Sequence, residues 1–261
     1  MTKFSSFLFV LLLMLASFTV NAQEYPRGDA NLDGTVNISD VTSLINYLLT
    51  GSWSDEPVSP PDDHEWVDLG LPSGTLWATC NLGANAPEDY GDYFAWGETV
   101  PKDFFADWGT YKWCHGSNNT MTKYCTDTYY GYNGFVDNKT ELDPEDDAAY
   151  VNWGPMWRMP TKEQQDELWE KCTWTWTMQN GVNGALVSGP NGNTLFLPAA
   201  GSRWLTLDHG GSSGSYWSRT LSPYHDYYAR DLSFDSESWG NRGTCSRNAG
   251  LPVRAVRESQ N

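Results

Sequence analysis

The chain has 261 residues, with 16 Lys plus Arg against 33 Asp plus Glu, for a formal net charge of −17. That balance excludes nucleic acid as a partner, because neutralising phosphates needs a Lys/Arg patch, and it argues against electrostatic attachment to anionic lipid. Aromatic residues reach 15% and supply enough buryable surface to exclude disorder of the whole chain.

Residues 1–22 carry one charge, Lys3, then an apolar run from Phe7 to Ala16, then Val20-Asn21-Ala22. This is the layout of a secretory signal peptide cleaved before Gln23. The apolar run is too short for a comfortable membrane span, and no basic cluster follows it. The expected mature chain is therefore secreted or at the cell surface, with no membrane span. Five cysteines remain in it: Cys80, Cys114, Cys125, Cys172 and Cys245. Export permits disulfides, and an odd count leaves at least one thiol unpaired. Cys114 and Cys125 are the closest pair in sequence and lie in a segment with little core of its own. A bridge between them is expected, worth on the order of 3 kcal/mol.

Residues 29–40 have the spacing of an EF-hand-like calcium loop. Oxygen ligands are needed at positions 1, 3, 5, 7, 9 and 12, with Gly at position 6 for the sharp turn. Asp29, Asn31 and Asp33 supply the first three. Gly34 stands at 6, Thr35 offers its carbonyl at 7, Asn37 acts at 9 through water, and Asp40 closes the loop at 12. Val41, Leu44, Ile45, Leu48 and Leu49 then fall on one face of a helix, with Ser39 as N-cap and Gly51 as the stop. Three carboxylates in one loop repel one another without a cation, so Ca2+ is the expected cofactor. Residues 26–51 resemble one dockerin type I repeat. The resemblance implies calcium-stabilised docking onto a cohesin-like or other surface protein, and an association with polysaccharide catabolism. Dockerins carry two such repeats, and no second loop of this kind occurs here, so the module is half a dockerin.

Ser52 to Asp63 reads SWSDEPVSPPDD, a semi-rigid solvated linker. The large domain follows over residues 64–257. Strand-like pieces are expected at 65–69, 76–81, 93–96, 173–177, 185–188, 194–197, 216–219, 227–234 and 252–256. Two helices are expected. One spans Pro144 to Asn152 with Asp143 as N-cap, and the other runs from Thr161 to about Cys172, with Thr161 and Gln164 forming a capping box. Strands without regular crossover helices point to an α+β fold with mainly antiparallel pairing. Trp66, Trp77, Trp96, Trp157, Trp174 and Trp176 are expected in the core.

Several separated motifs carry a second resemblance. They are Val67-Asp-Leu-Gly-Leu-Pro-Ser-Gly-Thr-Leu-Trp-Ala-Thr, Tyr93-Phe-Ala-Trp-Gly-Glu, Trp157-Arg-Met-Pro-Thr, Phe196-Leu-Pro-Ala-Ala-Gly, Gly214-Ser-Tyr-Trp-Ser and Val253-Arg-Ala-Val-Arg. Together they resemble the Fibrobacter succinogenes major paralogous domain. The resemblance implies a C-type-lectin-like fold, with a mixed, mainly antiparallel sheet and two short helices. The Trp-Arg-Met-Pro-Thr helix start is also similar to that of the formylglycine-generating enzyme relatives, but the reactive cysteine pair of those enzymes is not matched. The Glu-Pro-Asn, Gln-Pro-Asp and Trp-Asn-Asp sugar motifs of calcium-dependent lectins do not occur.

Gly210-Gly-Ser212-Ser-Gly214 fits the G-x-S-x-G pattern but lies in a Gly/Ser loop, where a serine nucleophile lacks its strand-to-helix elbow. Residues 101–142 read as an inserted segment rich in Thr, Asn and Gly. Its Trp108, Trp113, Tyr129 and Tyr130 are the candidate ligand-stacking residues, for a glycan or a protein. The same rings folded inward would instead replace a missing core. The chain thus reads as a non-catalytic binding protein, with carbohydrate as the candidate ligand. The alternatives are a surface assembly component, or an accessory to polysaccharide-degrading enzymes.

Overall fold

The structure, a computed structural model, describes residues 64–105, 107–237 and 241–258, the side chains of 241, 242 and 258 excepted, together with Asp40, Val41, Leu44, Ile45, Tyr47 and Leu48. The chain divides into two units, Met1–Pro60 and Pro61–Asn261. In the first unit the six described residues are helical, and Asp40 is buried while Val41, Leu44, Ile45 and Leu48 are exposed. The other proposed calcium ligands, Asp29, Asn31, Asp33, Thr35 and Asn37, lie outside the described residues.

The second unit is built from small antiparallel sheets with two short α-helices, an α+β arrangement. One sheet joins β1 (Trp66–Asp68), β2 (Thr75–Ala78) and β11 (Val256–Glu258), with β2 in the centre. A second joins β3 (Thr173–Gln179), β4 (Val182–Ser188) and β5 (Thr194–Pro198) in sequence order. β6 (Ser202–Arg203) and β7 (Leu207–Asp208) form a short ribbon. The last sheet places β9 (Tyr228–Asp235) between β8 (Ser213–Leu221) and β10 (Asn241–Ser246).

The β3–β4 hairpin follows from its sequence. Thr and Trp alternate along Thr173–Gln179, so Trp174 and Trp176 share the inward face at the two-residue period of a strand. Asn180 and Gly181 link the strands with φ of 47° and 85°, the two left-handed residues that a tight hairpin with the right twist requires.

The helices are α1 (Ala148–Trp153) and α2 (Lys162–Lys171). α2 has the expected capping box: Gln164 N donates to Thr161 Oγ1, and Thr161 N donates to Gln164 Oε1. The expected 144–152 helix is divided. Pro144–Asp146 is a 3-10 turn, and Asp147 rather than Asp143 caps α1, accepting from Ala149 N and Tyr150 N. Asp143 is drawn away by Lys123 and Lys139. The expected strand at 93–96 shrinks to one bridge, Phe94 with Leu251. The 252–256 stretch joins a ladder only from Val256, although Val253 and Ala255 still accept from Leu82 N and Ala78 N.

Three apolar clusters fill the unit. The first is organised around Trp96, Trp157 and Trp217, the second lies under β4, β5 and β9, and the third joins Tyr93, Phe105, Tyr111, Met121 and Cys125. Trp77, Trp96 and Trp157 are core as expected, and Trp174 and Trp176 are half-buried, but Trp66 is 48% exposed on edge strand β1.

Among the described residues, Arg247 and Arg254 are fully buried. Arg254 donates through Nε to Asn81 Oδ1 and through Nη1 to the carbonyls of Ala78, Thr79 and Phe196, joining the first sheet to the second. Its burial pushes its pKa down to about 10.

Candidate binding face

The 101–142 segment has almost no regular ladder. Its short elements are 3-10 turns at Trp108–Thr110 and Tyr132–Gly134 and bridges that join Met121 to Cys114 and to Gly131. Its backbone is therefore held by side chains. Asp137 accepts from Tyr124 N and Cys125 N. Asp226 reaches in from the turn between β8 and β9, accepting from Thr126 N at 2.7 Å and Asp127 N at 2.8 Å through Oδ2, and from Thr126 Oγ1 through Oδ1. Arg247, with no exposed surface, donates to Tyr111 Oη and to the carbonyls of Lys123, Tyr124 and Asp226, with its guanidinium 4.9 Å from the Trp96 ring centre.

These bonds bring two loops, far apart in sequence, into one aromatic face. Tyr129 lies edge-on to Tyr130 with ring centres 5.0 Å apart. Tyr130 contacts His225 and Tyr227 at 5.7 and 5.4 Å, and its hydroxyl shares a 2.6 Å hydrogen bond with His225 Nδ1. His225 stacks on Tyr227 at 5.4 Å, and Tyr227 packs on Tyr228 at 4.3 Å. Tyr129 is 71% exposed and Tyr224, on the same turn as His225, is 70% exposed. Burial pushes the Tyr130 and Tyr227 hydroxyls up in pKa, and neighbouring Tyr groups add to the effect.

Among the four candidate stacking residues, the structure brings Tyr129 and Tyr130 together and assigns the two tryptophans to packing. Trp108 is half-buried, edge-on to Tyr111 at 5.5 Å. Trp113 donates Nε1–H to the Gly97 carbonyl at 2.6 Å, lies edge-on to Tyr124, and carries the Lys112 ammonium 4.2 Å above its ring. Gly97 sits at φ 77°, and a Cβ there would come within 3.0 Å of the Trp113 ring, so the indole is seated directly on backbone. The residues missed from sequence are His225, Tyr227 and Tyr228. The run Tyr224-His-Asp-Tyr-Tyr228 was their signal, four rings within five residues around one carboxylate.

The expected Cys114–Cys125 bridge is not formed, and all five cysteines are free. The two thiols point to different partners. Cys114 Sγ donates to the Trp108 carbonyl, whereas Cys125 Sγ donates to the Asp127 carbonyl and Asp226 Oδ2. Burial, then Asp226, pushes the Cys125 thiol up to about 12. Ser212 Oγ donates to the His209 carbonyl in a turn that leads into strand β8, so the G-x-S-x-G stretch has no helix behind it.

One acidic group, Asp143, Glu145 and Asp146, brings carboxylate oxygens within 4.8 Å of one another and could hold a metal ion. Lysines meet it. Lys123 Nζ lies 2.6 Å from both Asp143 and Asp146 and 3.5 Å from Glu145, and Lys112 lies 3.1 Å from Asp146. Burial raises the Asp143 pKa, but the bonds from Lys123 and Lys139 outweigh it and hold the carboxyl below its usual range. The Lys123 ammonium thus occupies the position from which a cation would neutralise the group.

No helix among the described residues is long and apolar enough to cross a membrane. Comparison of the chain with protein-family models, curated proteins and solved structures finds no match.

Proposed function

We propose that this chain is a secreted or cell-surface, non-catalytic binding protein whose second unit, lectin-like in fold, holds carbohydrate on the Tyr129–Tyr130–His225 face. The observation that carries the reading is an exposed group of rings braced from behind by Asp226 and Arg247. Exposed rings on a fixed support lose little entropy when a sugar ring stacks on them. Each such contact is worth about 1 kcal/mol beyond area burial, so a single site is weak, in keeping with avidity on a polymer. A glycan array with the mature chain, followed by calorimetry on the best ligand, tests this. Tyr129→Ala lowers affinity about fivefold at an unchanged thermal midpoint. Wild-type affinity in that variant overturns the reading.

The first unit is proposed to bind one Ca2+ in the 29–40 loop. Support comes from the spacing of oxygen-bearing residues Asp29, Asn31, Asp33, Thr35, Asn37 and Asp40 about Gly34. Calcium titration of the mature chain gives one site that Asp33→Ala removes. No heat at millimolar calcium sinks the proposal. The exposed Val41, Leu44, Ile45 and Leu48 favour a second reading, surface assembly through a cohesin-like partner.

A further inference from the structure

We infer that the groove beside the aromatic face receives a carboxylate of the bound glycan through Arg230. The inference deepens the carbohydrate reading and rests on it. The groove is open on one side and offers about 310 Å3, at the low end of the ~300–1,000 Å3 range of small-molecule sites. Thr126 and Pro223, from the two loops that build the face, contribute to its lining, as do Lys162, Glu163, Thr220 and Arg230. The groove and the face therefore share their loops, and a sugar chain stacked on the rings continues into the groove.

Arg230 is the unusual member. Other arginines of the unit are engaged: Arg158 with Asp147, Arg203 with Asp103, Arg219 with Glu141, and Arg247 and Arg254 with backbone carbonyls. Among the described residues Arg230 has no ion pair, its buried Nε has no hydrogen-bond partner, and its guanidinium lies 5.2 Å over the ring of Tyr224. A guanidinium stacked on an aromatic face keeps its N–H edge directed outward, which suits a planar carboxylate. Lys162 is occupied by Asp166, and Glu163 is the one carboxylate that lines the groove. In a chain of net charge −17, a cation with no salt bridge among the described residues, next to a ring platform, selects an acidic sugar over a neutral one.

The test is calorimetry on the full mature chain with two probes, an oligogalacturonate and its methyl ester, which share rings and differ in charge. The acid binds tenfold or more tightly than the ester, the preference shrinks as salt rises, and Arg230→Gln abolishes the preference while ester affinity stays. Circular dichroism verifies that this variant folds. If it does not, Arg230→Lys, which keeps the charge but loses the fork, is expected to reduce the preference several-fold, and an unchanged preference counts against the inference. Equal binding of acid and ester by the wild type overturns the inference, and loss of both on Tyr129→Ala then still supports the aromatic face. Acid binding that survives Tyr129→Ala but not Arg230→Gln reverses this, overturning the face and supporting the groove. Absence of binding by either probe overturns the groove, and a negative glycan array overturns the face independently.

Discussion

The contacts that hold the 101–142 segment and the β8–β9–β10 sheet both bury charge, and they treat it in opposite ways. Around the segment, Arg247, Asp226 and Asp146, which reach it from outside, are each saturated. Arg247 makes four hydrogen bonds, Asp226 accepts from two amides, a hydroxyl and a thiol, and Asp146 meets two lysines and the Tyr124 hydroxyl. In the sheet, Asp231 is 6% exposed, its Oδ1 has no partner, and only the Ser233 hydroxyl reaches its other oxygen. Where a ladder satisfies the backbone, side-chain charge is not needed for order and is only partly compensated: the Ser233 hydroxyl and the Arg230 charge oppose the burial of Asp231 without offsetting it. Where no ladder exists, the charged side chains supply the order. Removing a buried charge should therefore destabilise the segment and stabilise the sheet.

The largest effect is expected at Arg247. Arg247→Met keeps apolar bulk but leaves three carbonyls and the Tyr111 hydroxyl without their donor, and should cost roughly 3–5 kcal/mol in urea unfolding. Glycan binding should fall with it. A loss below about 1 kcal/mol would erase the contrast between the two regions.

Asp231 sharpens the contrast with the opposite sign. Burial pushes its pKa from 3.8 up to about 6. The folded state then holds this proton more tightly than the unfolded chain. Its contribution is full below about pH 4 and is lost as pH rises through about 6, leaving the protein about 3 kcal/mol less stable at pH 7.5. Asp231→Asn should flatten that part of the pH–stability profile and exceed the parent in stability at pH 7.5. A variant less stable than the parent there would show that the charge is compensated after all.

Asp226→Asn comes next, at about 2 kcal/mol, because the amide keeps the shape but loses a charged acceptor of several hydrogen bonds. Hydrogen exchange at the Thr126 and Asp127 amides should accelerate, with the β3–β4 ladder unchanged. The smallest effect is expected in that ladder. Gly181→Ala places a Cβ at φ 85° in open space, costing about 1 kcal/mol with no change in glycan affinity.

Elements with a strong local pattern were legible in the sequence. β3 was readable from its Thr/Trp alternation, β9 from its aromatic and aliphatic run, and α2 from its capping box. β10 was not, because Asn241-Arg-Gly-Thr-Cys-Ser246 is polar and becomes a strand only by pairing with β9. The helix near 144–153 was readable, but its cap was not. Asp143 and Asp147 are both competent caps, and Asp143 is drawn away by Lys139, one helical turn back, and by Lys123, twenty residues earlier. The aromatic face was half legible. Tyr129 and Tyr130 were found by exposure-prone context, whereas the partner turn at 224–228 needed the Asp226 bonds to bring it alongside. Trp113 looked like a ligand platform because nothing local reveals that Gly97 leaves room for its ring.

The central position of β2 has a consequence for how the large unit can be handled. Trp66 of β1 pairs opposite Ala78, and Glu258 of β11 pairs opposite Thr75, one on each side of the same strand. Three residues along β2 and two strand spacings across it put those two points about 14 Å apart. A linker of about five residues spans that gap. The unit is therefore a natural cassette for circular permutation, or for insertion into a surface loop of another protein, because both of its connections leave from a single sheet.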